Sequence, residues 1–149
     1  MLGASALLSA CGSDSTAPNI PSNPAVETYA SSLGVTIANM TRRSDNLYVQ
    51  DLVVGTGAEA VAGRVVRVTY TGWLINGSRF DTNVGGAAFP FTLGAQQVIA
   101  GWDQGVLGMK VGGKRRIVIG SALGYGNQGQ GPIPANSTLV FDVEVLGVQ

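Results

Sequence analysis

The chain has no histidine, and no other gap in its composition removes as much chemistry. Histidine is the side chain that changes charge near neutral pH, the commonest metal ligand and the base of Ser-His and Cys-His nucleophile systems. A single cysteine, Cys11, excludes an internal disulfide. Charged residues make up 12% of the 149, and nine basic and nine acidic side chains cancel. No basic surplus points to nucleic acid and no acidic surplus to a solvating tail. The apolar run Leu2 to Ala10 falls well short of the about 20 residues that a membrane-spanning helix needs. What is present is a 45% apolar content, enough for one sizeable core, and 22 glycines, which favour turns and close backbone approaches over long helices.

The amino-terminal end carries its own message. Leu8-Ser9-Ala10-Cys11 closes the apolar run and resembles the lipobox of bacterial lipoprotein signal peptides. The resemblance implies that residues 1–10 are a signal-peptide remnant and that Cys11 is lipidated, anchoring the protein by its lipid to a bacterial cell envelope, facing periplasm or exterior. The alternative is an incidental or buried thiol. No Lys or Arg precedes Arg42, so a basic opening stretch is absent from this run. Residues 12–25 are Ser, Pro and Asn with little apolar content and read as a flexible tether. Residues 26–46 hold Val26, Tyr29, Leu33, Val35 and Ile37 without a clear period, and complete an extension that spans 11–46.

From residue 47 to 149 the pattern is that of one β-rich domain. Arg64 to Leu74 alternates, with Val66, Val68 and Tyr70 on one face, and Thr138 to Leu146 alternates with Leu139, Phe141, Val143 and Val145 inward. Leu47 to Val54, Lys114 to Ile119 and Phe89 to Leu93 are further strands, the last with Pro90 suggesting an edge. Gln97 to Leu107 departs from alternation: Val98, Ile99, Trp102 and Val106 recur at helical spacing, although Gly101 and Gly105 each weaken a helix by about 1 kcal/mol. The expected class is α+β, an antiparallel, strongly curved sheet of five to six strands wrapped around one short helix.

Asn76-Gly77 between Tyr70-Thr71-Gly72-Trp73 and Arg79-Phe80-Asp81 predicts a two-residue hairpin turn with both central residues at positive φ. That hairpin brings Tyr70, Phe80 and Asp81 together: aromatic walls with one carboxylate. Tyr-Thr-Gly-Trp, Phe-Asp, Phe-x-Phe-x-Leu-Gly, Val-Ile-x-Gly-Trp, a basic strand, Tyr-Gly, and Ile-Pro before Thr-Leu-Val-Phe-Asp-Val-Glu then follow in order. The series resembles the FKBP-type peptidyl-prolyl cis/trans isomerases over Leu47 to Val148, roughly two thirds of the chain.

The resemblance implies a proline-binding pocket, with Tyr70, Asp81, Trp102, Tyr125 and Phe141 as catalytic positions and Phe80, Phe89, Val98, Ile99 and Ile133 as substrate-binding ones. Trp102 would be the floor, the Ile99 amide a donor, and Tyr125 would offer its hydroxyl to a substrate carbonyl. Asp81 sits at the mouth as a positioning group. The implied partners are proline-containing polypeptides and rapamycin-class macrolides. A monomer without cofactor or metal is expected. The chemistry fits a chain without histidine. Rotation about a peptide bond meets a barrier of ~18–20 kcal/mol from amide resonance, and X-Pro exchange takes tens to hundreds of seconds uncatalysed. No bond is made or cut.

Other patterns carry less. Lys114-Arg115-Arg116 reads as a solvated strand rather than a nucleic-acid patch, because alternation divides the three between two faces. Gly124-x-Gly126-x-x-Gly129 matches a dinucleotide fingerprint in letters, but Pro132 and Pro134 prevent the helix it must open. The sequons at Asn39, Asn76 and Asn136 read as chance. A proline-docking chaperone or binding module with incidental turnover is the competing function.

Overall fold

A computed structural model describes residues 20–149. Cys11, the signal-like run and residues 12–19 of the tether lie outside the described residues. The elements are β1 (Thr41–Ser44), β2 (Leu47–Val53), β3 (Val65–Leu74), β4 (Arg79–Thr82), β5 (Phe89–Thr92), α1 (Ala100–Gly105), β6 (Lys114–Ile119) and β7 (Leu139–Val148), with short 3-10 turns at Pro24–Val26, Ser31–Leu33, Ile37–Asn39 and Ser121–Leu123. The strands form one open antiparallel sheet in the order β1-β2-β6-β7-β3-β4. β5 pairs with Val65 to Val68 of β3, ahead of the stretch from Thr71 to Trp73 that pairs with β4. Among the described residues seven strands form where five or six are expected; the extra one is β1, from the stretch that shows no period.

Alternation explains how the sheet is buried on both faces. Along β6, Ile117 and Ile119 enter the main core together with Val66, Val68, Phe141, Val143 and Val145. Val118 between them, and Val140 on the neighbouring strand, point the other way into a second cluster with Tyr48, Leu33 and Met40. Residues 20–40 thus lie across the second face as a strap, and burying a side chain such as Leu33 stabilises it by about 1.5–3 kcal/mol. Arg116 reinforces the strap by donating to the Gly34 carbonyl at 3.3 Å. Pro90, which has no N–H, lies on β5, where the only strand pairing among the described residues is to β3.

The helix is shorter than the periodicity over 97–107 suggests, and it is wedged tightly onto the sheet. A Cβ on Gly101 would stand 2.5 Å from Ile119 Cγ2, and one on Gly105 2.9 Å from Ile117 Cγ2. The glycines that weaken the helix locally are what let it approach β6. Its carboxyl end is held by arginines: Arg115 Nη1 donates to the carbonyls of Gly105 at 2.8 Å and Leu107 at 3.1 Å, and Arg43 Nη1 to that of Gln104 at 2.6 Å. Cations at this end also complement the helix dipole. Burial and the charge of Arg115 lower the pKa of Arg43.

The Lys114-Arg115-Arg116 stretch is therefore not a solvated strand. Arg115 is only 5% exposed, with its Nε donating to Asp51 at 2.7 Å. Arg116 forks onto Asp142 through bonds of 2.8 and 2.9 Å. The hairpin also differs from expectation. Gly77 alone takes positive φ, at 92°, its N–H donates to the Leu74 carbonyl, and Leu74 N–H donates to Ser78. The loop has three residues, Ile75 to Gly77, with the glycine in the left-handed position that closes a type I turn. Among the described residues no helix is long and apolar enough to cross a membrane.

Candidate active site

The strands and helix enclose a cavity of about 190 Å³ walled by aromatic rings. Trp102, 4% exposed, lies at the centre of the ring contacts. Its ring stands edge-on to Tyr70 at 4.9 Å and to Phe141 at 5.4 Å, and Phe91 supports it at 5.6 Å. Phe80 meets Phe141 at 5.5 Å with the planes at 90°, and Phe89, 38% exposed, forms an outer wall 6.1 Å from Trp102. Edge-to-face pairs of this kind contribute about 0.5–1.5 kcal/mol each beyond their burial. Val98, Ile99 and Tyr125 complete the lining.

Two backbone features make this wall. Gly72 follows Tyr70 on the same face of β3, and a Cβ there would stand 2.6 Å from Phe80 Cζ and 2.7 Å from Phe141 Cε1. The missing side chain is the space in which those two rings meet. On β4 the register slips: Gly72 pairs with Asp81 but Trp73 pairs with Arg79, leaving Phe80 as an extra residue. In a regular strand Phe80 and Asp81 would point to opposite faces; the bulge turns both into the cavity.

Polar groups at the mouth are few and well held. Tyr70 Oη donates to Asp81 Oδ2 at 2.6 Å. Burial, then that bond and the Asp81 charge, raise the Tyr70 pKa above the ordinary phenol value of 10.0. Burial and the charge of Asp81 raise that of Tyr125 as well. Both phenols therefore keep their protons through neutral pH. The Ile99 amide makes no backbone hydrogen bond among the described residues, while the Ile99 carbonyl accepts from Trp102 N–H at 2.9 Å. Trp102 Nε1 is buried without a partner among the described residues. Leaving such a donor unpaired costs about 1–3 kcal/mol.

Of the residues expected at the pocket, Tyr70, Phe80, Asp81, Phe89, Val98 and Ile99 line the cavity, as do Trp102, Tyr125 and Phe141. Ile133 does not; it is 5% exposed in the main core, and its backbone closes a turn with Gln130. Two contributors have no signature in the sequence. Gln97 lies at the rim, its Oε1 accepting from Thr92 N–H at 2.9 Å. Asn83 stands where β4 ends and acts as a surrogate strand: its Oδ1 accepts from Tyr70 N–H at 2.7 Å, and its Nδ2 donates to the carbonyls of Val68 and Ala87, each at 3.1 Å. It fixes the backbone of Tyr70.

Residues 57–146 match the family described as FKBP-type peptidyl-prolyl cis-trans isomerase. The FK506-binding protein of Neisseria meningitidis serogroup A is 50% identical over 105 residues, 69% of this chain and 96% of its own. FK506-binding protein 2 of Dictyostelium discoideum is 54% identical over 89 residues, 58% of this chain and 67% of its own. Among solved structures, AtFKBP13 superposes with a TM-score of 0.65 at 40% identity, covering 69% of this chain and 93% of that one. FkpA from Escherichia coli superposes with a TM-score of 0.68 at 40% identity over 74% of this chain and 52% of that one. With more than half its length matched, the chain belongs to the FKBP-type peptidyl-prolyl cis/trans isomerases.

Proposed function

We propose that this protein accelerates X-Pro isomerisation in exported polypeptides by holding the proline ring in the aromatic cavity, with no covalent step. The supporting observation is the cavity itself: six aromatic side chains, Tyr70, Phe80, Phe89, Trp102, Tyr125 and Phe141, line it, with Trp102 buried at its floor. The planar amide is a resonance form with separated charge, and a dry apolar site disfavours it relative to the twisted transition state. Trp102 is assigned as the floor, with Tyr70, Phe141, Phe80 and Phe89 as walls and Val98 and Ile99 as the rim. The Ile99 amide and the Tyr125 hydroxyl are the donors aimed at substrate carbonyls. Asp81 orients the Tyr70 phenol and transfers no proton. A differential stabilisation of ~4 kcal/mol corresponds to about three orders of magnitude in rate.

The cellular setting rests on Cys11 and the tether. A lipidated Cys11 would hold the domain at a bacterial envelope membrane, facing periplasm or exterior, where newly exported chains present their prolines. Metabolic labelling with a palmitate analogue tests it: label on the wild type that is lost in Cys11→Ser supports the anchor, and an unlabelled wild type overturns it. For the chemistry, the test is a protease-coupled assay on a proline-containing peptide. Acceleration that is lost in Trp102→Ala is expected, together with inhibition by an FK506-type macrolide in the same cavity. No acceleration by the wild type, or full retention in the variant, contradicts the reading. The competing binding-module function needs a second recognition surface. The 26–46 stretch that the sequence offers for one packs onto the sheet, with Leu33 and Met40 buried.

A further inference from the structure

The loop that carries Tyr125 is tied down by residues far outside the family match. Ser121, 1% exposed, begins that loop and is bonded at every polar atom. Its carbonyl accepts from the N–H groups of Gly124 at 3.0 Å and Gly126 at 2.9 Å, the residues on either side of Tyr125. Its N–H donates to Ser22 Oγ at 2.8 Å, and its own Oγ accepts from Ser22 N–H at 2.9 Å. The far end of the loop is held as well. Thr138, 2% exposed, donates from Oγ1 to Glu27 Oε1 at 3.3 Å, and Gly126 in turn accepts from Asn136 N–H at 2.8 Å. Between these ties the strap leaves no slack: a Cβ on Gly120 would stand 3.0 Å from Pro24 Cδ and 2.3 Å from Asn46 Oδ1.

We propose that Ser22 and Glu27 of the amino-terminal strap are positioning residues that set the place of Tyr125 over the pocket. The assignment rests on the isomerase reading. Ser22 reaches Tyr125 through two consecutive hydrogen-bonded steps, Ser22 to Ser121 and Ser121 to the peptide groups flanking Tyr125, with Ser121 buried at the joint. Neither Ser22 nor Ser121 lines the cavity, so those bonds act on the loop rather than on the aromatic floor. Loosening them therefore weakens substrate capture by the Tyr125 hydroxyl more than it alters the desolvating floor around Trp102.

The test is steady-state kinetics on the full chain with a proline-containing peptide. Ser22→Ala is expected to raise KM about three- to tenfold with kcat little changed, the size of one lost hydrogen bond. Ser22→Thr, which keeps the hydroxyl, is expected to retain the wild-type KM. Val145→Ala, a destabilising change in the core, is expected to lower the melting temperature and leave KM alone. In a Tyr125→Phe background Ser22→Ala is expected to add nothing, since partners in one chain of contacts are not additive. Hydrogen exchange read over 121–138 should quicken in Ser22→Ala independently of turnover. An active wild type whose KM is indifferent to Ser22→Ala, or a KM increase of equal size in the Tyr125→Phe background, overturns the assignment alone. A wild type without isomerase activity overturns the isomerase reading and this assignment with it.

Discussion

Replacing Gly72 by alanine adds one methyl group at the point where two pocket rings meet. Its Cβ would lie 2.6 Å from Phe80 Cζ, 2.7 Å from Phe141 Cε1 and 2.9 Å from Phe80 Cε1. Carbon atoms in contact sit at about 3.5–4.0 Å, so the Phe80 ring must retreat by roughly 0.9–1.4 Å. The obstacle is ring atoms rather than backbone, so the fold survives, but the 5.5 Å edge-to-face contact between Phe80 and Phe141 does not. Overpacking of this kind costs about 1–3 kcal/mol. With an unfolding entropy of about 2.1 cal/mol/K per residue over some 130 residues, that is a fall in melting temperature of about 4–11 °C. Displaced rings also narrow the cavity, so kcat/KM on a proline peptide should fall at a temperature where the variant is fully folded. Phe80→Leu added to Gly72→Ala should recover part of the lost stability, because it vacates the space the methyl needs. Calorimetry and the coupled isomerisation assay read both effects. Wild-type melting and wild-type turnover in Gly72→Ala would refute the packing of Phe80 and Phe141 over this glycine.

Arg115→Ala should cost about 2–4 kcal/mol in urea unfolding, because it strips the donor from the buried Gly105 carbonyl at the end of α1 and from the half-buried bond to Leu107 just beyond it. Asp51→Asn should cost less than about 1 kcal/mol, since the Asp51 side chain is 43% exposed and solvent screens the pair. Equal losses in the two variants would mean that the ion pair, rather than the carbonyl capping, holds the helix. Burial raises the phenol pKa of Tyr29, Tyr70 and Tyr125 above 10.0 in the folded protein. The folded state then keeps protons that the unfolded chain releases near that pH. The stabilising contribution is complete below about pH 10 and is lost as the pH rises through the raised folded values. The urea midpoint should therefore fall increasingly steeply above about pH 10, and Tyr70→Phe should flatten that fall; identical slopes in the two proteins would contradict it.

The parts of the fold that follow from local pattern are legible in the sequence. Alternation over Arg64 to Leu74 and Thr138 to Leu146 identifies the two long strands, because one buried face forces period two. The helical spacing of Val98, Ile99, Trp102 and Val106 locates the helix, and the order of short blocks reveals the family. What stays hidden depends on partners distant in sequence. Arg115 lies in a run that looks solvated, and it is the carbonyls at the end of α1, far from it in the local pattern, that make its burial tolerable. Gly101 and Gly105 read as helix-weakening, and Gly72 has no reading of its own in the sequence; each is a close approach whose other half lies on another element. The bulge that turns both Phe80 and Asp81 inward depends on the three-residue loop closed by Gly77 rather than on the two-residue turn that Asn-Gly suggests. Leu33 and Met40 show no period because the strap meets the sheet in short turns. Ile133 lies in the loop between Tyr125 and Phe141 and packs into the main core, its backbone paired with that of Gln130.

On this reading the aromatic cavity and the Ile99 and Tyr125 donors lower the rotation barrier without moving a proton, the Tyr70 and Tyr125 phenols staying protonated through neutral pH. The dependence of kcat/KM on pH for a proline-containing peptide, measured in water and in deuterium oxide, tests that most directly. The chain has no histidine, and the Tyr70 and Tyr125 phenols are held protonated. The predicted result is a profile flat from about pH 6 to about pH 9 with a solvent isotope effect near unity. A bell-shaped profile in that range, or a substantial isotope effect, would show a proton in flight and contradict the account.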